Sequence, residues 1–148
     1  MTMPLCLDAS VIVKVLTREE HSEAATRLLE DAIEQERPIV LPDFALLEVG
    51  SVLRQKTHRE LITVEQADKA WHWFRRLQII GYMGSQRYAD KAWDTSRQLR
   101  LPTLYDAAYL AVAETAAEEA GAVCEFWTAD EKLFNQVSAQ KSYARLVV

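Results

Sequence analysis

Four carboxylates stand where an acidic side chain has little structural use. Asp8 closes the apolar run Pro4-Leu-Cys-Leu, Glu48 lies within Phe44-Ala-Leu-Leu-Glu-Val-Gly-Ser-Val-Leu, Asp106 within Leu101-Pro-Thr-Leu-Tyr-Asp-Ala-Ala-Tyr-Leu, and Asp130 ends Phe126-Trp-Thr-Ala-Asp. Phe44 and Val52 lie one helical turn from Glu48, and Leu47 and Val49 flank it, so the pattern predicts a carboxylate on the buried side of a helix. An ionised carboxylate left unpaired there costs several kcal/mol, and it must be protonated, paired or bound to metal. Carboxylates that share one pocket repel, and one or more takes up a proton unless a cation neutralises them. Oxygen-only ligation with no His or Cys nearby selects Mg²⁺, or Mn²⁺, over zinc. A metal held in this way lowers the pKa of a bound water, orients it in line with a phosphodiester and neutralises developing charge. Such chemistry needs no nucleophilic side chain.

Each residue also has a competing structural role. Asp8 or Ser10 could cap the helix that follows, and Ser10, two residues beyond Asp8, could equally supply a hydroxyl to the metal's water shell. Thr103 and Asp106 resemble a capping box, although Asp is shorter than the usual Glu or Gln; Asp106 also shares a face with Leu110 and Ala113, which predicts an inward direction. Thr128 and Glu131 have capping-box spacing, which makes Glu131 structural and leaves Asp130 either as the site candidate or as a partner of the helix dipole. Free carboxylates repel a polyanion, so basic groups must offset them. Lys14, Arg54, Lys56 and Arg59 are the nearest candidates, with a solvated surface charge as the alternative for each.

The elements that must position these groups follow from periodicity and punctuation. The opening stretch reads as a strand ending at Asp8, a turn through Ala9 and Ser10, and a helix. Residues 22–36 form an amphipathic helix ended by Pro38, residues 39–41 a strand closed by Pro42, and Asp43 caps a helix to about Arg59. Residues 63–77 form the next helix, with Val64, Ala67, Trp71 and Phe74 as its inward stripe. A strand at 78–82, a helix at 85–100, and a long alanine-rich helix ending at Gly121 come next. A strand at 122–127, a short helix at 130–138 and a last strand at 143–148 complete the chain. Five strands alternating with helices predict an α/β fold, a mostly parallel sheet covered on both faces, in one domain across residues 1–148. All four carboxylates then fall at strand ends or in the first or second turns of helices leaving that rim, where open α/β sheets bind ligands.

Composition narrows the class. With 49% hydrophobic and 26% charged residues the chain is globular, and no apolar segment approaches the roughly 20 residues of a membrane span. The N-terminus lacks the basic start and apolar core of a secretory signal, which predicts a cytoplasmic protein. Cys6 and Cys124 sit in apolar runs without ligand spacing and are expected as buried reduced thiols; His21, His58 and His72 show no metal spacing either. A net charge of −5 argues against coating nucleic acid by bulk electrostatics but permits a local basic groove.

Leu7-Asp-Ala-Ser-Val-Ile-Val-Lys, Leu46-Leu-Glu-Val, Leu104-Tyr-Asp-Ala-Ala-Tyr-Leu-Ala and Phe126-Trp-Thr-Ala-Asp resemble the four acidic motifs of PIN-domain ribonucleases, in family order and across essentially the whole chain. The similarity is greatest to the VapC-type toxins of toxin–antitoxin pairs. It implies that Asp8, Glu48, Asp106 and Asp130 are Mg²⁺-binding catalytic carboxylates, with Ser10 as the accompanying polar residue. It also implies endonucleolytic cleavage of RNA, an inhibitory antitoxin and a homodimer.

Two other classes compete. A receiver-type phosphoacceptor module also gathers acids around Mg²⁺ at strand ends, but it needs a Lys at a later strand end, whereas Glu48 and Asp106 fall within helices. A catalytically silent PIN-like binding protein is the other, and the intact acidic set weighs against it. Trp73 lies off the inward stripe of its helix, beside Gln66 and Ala70; it is expected to be partly exposed, as an anchor for an antitoxin segment or a second subunit or as a satellite core contact.

Overall fold

The computed structural model describes residues 2–148. Among these residues the chain forms five strands, β1 (Leu5–Leu7), β2 (Ile39–Pro42), β3 (Ile80–Met83), β4 (Glu125–Thr128) and β5 (Ala144–Leu146). Seven α-helices connect them: α1 (Ala9–Leu16), α2 (Ser22–Glu34), α3 (Ala45–His58), α4 (Val64–Arg75), α5 (Ala89–Leu99), α6 (Leu104–Ala120) and α7 (Glu131–Val137). Every strand pairing is parallel, in the order β3-β2-β1-β4-β5. All three residues of the central strand β1 are buried. Because successive strand side chains point to opposite faces, both faces of this α/β sheet are covered.

That order creates the site. From β1 the chain builds outward through β2 and β3, then returns to lay β4 on the other side of β1. The direction reverses between β1 and β4, and the carboxyl ends of strands at such a reversal open a crevice. Asp8 follows β1 and Asp130 follows β4, so the two strands that flank the reversal each deliver a carboxylate to it. Helix α3 leaves the same rim after β2. Helix α6 runs back toward the start of β4, which sets its N-terminus at the rim as well.

Helix α6 is the central packing element: residues 107–113 are all buried, and it packs against β1, β2, β4 and α5. Its small alanines let those neighbours approach closely, and Gly121 ends it at φ 63°. Gly50 in α3 has a comparable packing reason. A Cβ there would come 2.8 Å from the Trp71 ring of α4, so the roughly 1 kcal/mol that a mid-helix glycine costs is offset by close contact between the two helices.

Several boundaries differ from the periodicity. Asp43 does not cap α3, whose N-cap is Phe44; its carboxylate accepts the Ser85 N–H at 3.1 Å and the Tyr88 hydroxyl at 2.6 Å, tying the head of α3 to the segment before α5. The helix expected over 85–100 divides into a 3₁₀ turn, Ser85–Arg87, and α5. Val64 is 51% exposed, and Ala70 takes its place on the inward stripe with Ala67 and Phe74. Cys6 and Cys124 are buried free thiols; burial raises both, Cys124 to about 12. Among the described residues no helix is long and apolar enough to cross a membrane.

Candidate active site

Asp8 is positioned by its neighbours on β4. Its N–H donates to the Trp127 carbonyl at 2.9 Å, continuing the β1–β4 ladder by one residue. Its Oδ2 accepts the Thr128 hydroxyl at 2.8 Å and the Ser10 hydroxyl at 2.9 Å. Each hydroxyl oxygen is itself fixed by backbone. Thr128 Oγ1 accepts the Asp130 N–H at 3.0 Å, and Ser10 Oγ accepts the Ala129 N–H at 3.1 Å. The turn after β4 therefore orients two hydroxyls toward one carboxylate oxygen. Neither Asp8 nor Ser10 makes a side-chain cap on α1.

Glu48 projects half-buried from the first turn of α3, and its Oε1 accepts the hydroxyl of Tyr109 at 2.6 Å. Tyr109 is buried on α6, three residues after Asp106, so one face of α6 brings both groups to the rim. Asp106 is half-buried in the first turn of α6. Thr103 is the N-cap but makes no side-chain bond, so the capping box does not form. Asp130 is exposed and is the N-cap of α7, where its Oδ1 accepts the Leu133 N–H at 3.1 Å. The cap expected from Thr128 and Glu131 is thus supplied by Asp130 instead.

The electrostatics tie the four together. Burial pushes Asp8 up from its ordinary 3.8; the hydroxyls of Thr128 and Ser10 oppose this, and the charge of Asp130 adds to it. Burial also raises Glu48 from 4.5, against the bond from Tyr109 and with the charges of Asp8 and Asp106. Asp106 is raised by burial, then by Asp8 and Asp130. These carboxylates feel one another, and among the described residues no cationic side chain contributes at any of the three.

The expected cations lie elsewhere. Lys14 donates to Glu19 at 3.1 Å and to the Glu20 carbonyl at 2.7 Å, and Lys56 meets the other Glu19 oxygen at 2.5 Å. Lys14 is thereby turned away from the substrate role expected of it. Arg54 and Arg59 are exposed and line a shallow hollow with Gln55 and His58 near the end of α3.

Whether these residues suit a cation can be judged from the donors themselves. Among the described residues no three Asp, Glu, His or Cys side chains are grouped closely enough to hold a metal ion by themselves. Mg²⁺ does not require one, since it keeps several waters and takes one or two carboxylates directly. Oxygen-only, mutually repelling groups to which no cation among the described residues contributes fit such an ion.

Two contributors escaped the sequence reading. Thr128 is fully buried, yet its spacing to Glu131 matched a capping box and masked its bond to Asp8. Nothing in the apolar pattern around Tyr109 singles it out; its i+3 offset from Asp106 is the signal that it shares the rim-facing side of α6.

Known proteins provide an independent comparison. The PIN domain family model matches residues 5–139, a span that holds all four carboxylates. Ribonuclease VapC3 from Pyrobaculum aerophilum is 33% identical over 116 residues, covering 76% of this chain and 82% of that protein. The crystal structure of PAE2754 from the same organism aligns with a TM-score of 0.59 over 99% of this chain and 92% of its own, at 19% identity, a likeness of fold alone. The topology, the family model and the relative agree, and the chain belongs to the PIN domain family with a VapC-type ribonuclease among its relatives.

Proposed function

We propose that this protein is a Mg²⁺-dependent endoribonuclease, with Mn²⁺ as an alternative ion, acting in the cytoplasm as the toxin of a toxin–antitoxin pair. The observation that carries this reading is the set of carboxylates at the β1–β4 reversal, raised by burial and by neighbouring acids, to which no cationic side chain among the described residues contributes. Asp8, Glu48, Asp106 and Asp130 would hold the ion, directly or through its waters. A bound Mg²⁺ supplies an acidified water and neutralises charge on the phosphodiester.

The chain's own groups do the rest. Thr128 and Ser10 favour the ionised form of Asp8 and fix its orientation, and Tyr109 does the same for Glu48. Burial and the charges of Asp8 and Asp130 raise Asp106, a cost that a bound cation would relieve. Arg54 and Arg59, exposed near the end of α3, would meet RNA phosphates there.

Trp73, 45% exposed, supports an antitoxin-binding or homodimer face. It lines a hollow of about 490 Å³ with Val15, Leu16, Leu61, Ile62 and Lys69, between the end of α1 and α4. The function is tested on purified protein: single-stranded RNA should be cut in Mg²⁺ or Mn²⁺ and left intact in EDTA. Undiminished cleavage in EDTA by independent preparations would remove the metal mechanism.

A further inference from the structure

Tyr105 is 60% exposed at the N-terminus of α6, immediately before Asp106. Its ring meets Phe44, the N-cap of α3, with centroids 5.2 Å apart and planes at 76°. Phe44 in turn meets Tyr109 at 5.6 Å and 85°, and Tyr109 donates to Glu48. The exposed ring is therefore the outer member of an aromatic series that leads directly into the acidic site. Near-perpendicular contact covers at most one face of the Tyr105 ring, so a planar group can lie on the other. Leu104, its neighbour in the chain, is also exposed and adds apolar surface.

We infer that Tyr105 is a stacking platform that positions one nucleobase of single-stranded RNA beside the acidic site. This rests on the nuclease reading above and names how that site holds its substrate. The local charge favours a ring over a cation. A Lys or Arg at this position would set a positive charge beside Asp106, whereas a neutral aromatic face attracts a base by stacking alone. Bases can reach such a ring only when splayed from a helix, which restricts the occupant to a single-stranded segment. Tyr105 would be a positioning residue, acting on binding rather than on the reacting atoms.

The test uses an RNA oligonucleotide cut by the wild-type protein, and a series of the same oligonucleotide with one base at a time deleted near the cut. Tyr105→Ala should raise KM about tenfold or more with little change in kcat, and Tyr105→Phe should behave as wild type. One base deletion should raise KM for the wild type and have no further effect in Tyr105→Ala. A KM unchanged in Tyr105→Ala would overturn the platform while leaving the nuclease reading intact. So would a loss that is equal for every oligonucleotide and accompanied by a change in sedimentation, which would make the ring a subunit contact. A wild-type protein that cuts no RNA in Mg²⁺ would overturn the nuclease reading and the platform with it.

Discussion

Two acidic centres in this molecule are treated in opposite ways. At Glu19, between α1 and α2, burial alone would raise the carboxyl, but the bonds and charges of Lys56 and Lys14 outweigh it and hold Glu19 below its ordinary 4.5. At the rim, burial raises Asp8, Glu48 and Asp106, their uncharged hydrogen-bond donors do not outweigh it, and all three are held above their ordinary values. Both centres use half-buried carboxylates on the same sheet-and-helix scaffold. The difference is that Glu19 obtains its counter-charge from the chain, whereas among the described residues the rim acids receive none, and on the proposed function an ion from solution supplies it.

Exchanging charge for shape at each centre should break that comparison most visibly. Asp8→Asn removes a repelling charge, so the metal-free protein should be as stable as wild type or more so, while RNA cleavage falls by about a hundredfold or more, beyond the 10–100-fold typical of groups that only orient a ligand. Glu19→Gln should do the reverse. It strands two lysines, costs about 1–2 kcal/mol in urea unfolding, and leaves cleavage within a few-fold of wild type. A parallel loss of activity in both variants would erase the distinction.

A smaller effect is expected at Thr128. Thr128→Val keeps the shape but removes a donor to Asp8 and the acceptor for the Asp130 N–H. Activity should fall about tenfold, and because the lost bond had favoured the ionised form of Asp8, the acid limb of the pH–rate profile should move to higher pH. An unshifted limb would mean that Asp8 does not set it.

The carboxylates were legible in the sequence because each interrupts an apolar pattern with a charge: Glu48 between Phe44 and Val52, Asp106 on the face of Leu110 and Ala113. Their surroundings were not legible to the same degree. That Thr128 faces Asp8 depends on β4 lying beside β1, a pairing across about 120 residues that no local spacing encodes. The fate of Lys14 was hidden for a similar reason, since its long side chain reaches either of two surfaces and the partner that selects one, Glu19, sits in a turn beyond the helix. Asp43 shows the same limit: next to a helix start it reads as a cap, and only the fold brings Tyr88 to it.

The smallest expected effect is in the pH dependence of stability. Rim acids raised above 3.8 and 4.5 make the folded protein bind more protons than the unfolded chain between those values and the raised ones, so their contribution to metal-free stability falls as pH rises through that interval. Glu19 has the opposite sign: its contribution is fully present above 4.5 and is lost as pH falls through its depressed folded value. Urea midpoints in EDTA should therefore show Asp106→Asn gaining on wild type as pH rises above 3.8, and Glu19→Gln losing ground as pH rises toward 4.5. Each difference stays below about 1.4 kcal/mol per pH unit, the ceiling for one proton. Slopes of the same sign would contradict the assignment of counter-charges.

The central claim is that the rim carboxylates hold a cation from solution, and thermal melts of wild type and Asp106→Asn, each in EDTA and in excess Mg²⁺, test it without any substrate. A ligand that binds only the folded state at about a hundred times its Kd adds about 2.7 kcal/mol of stability, which for a chain of this size raises Tm by several degrees. Wild type should show that Mg²⁺-dependent rise, and Asp106→Asn should show little or none while melting in EDTA at or above the wild-type temperature. Equal Mg²⁺ gains in the two proteins, or none in either, would contradict the account.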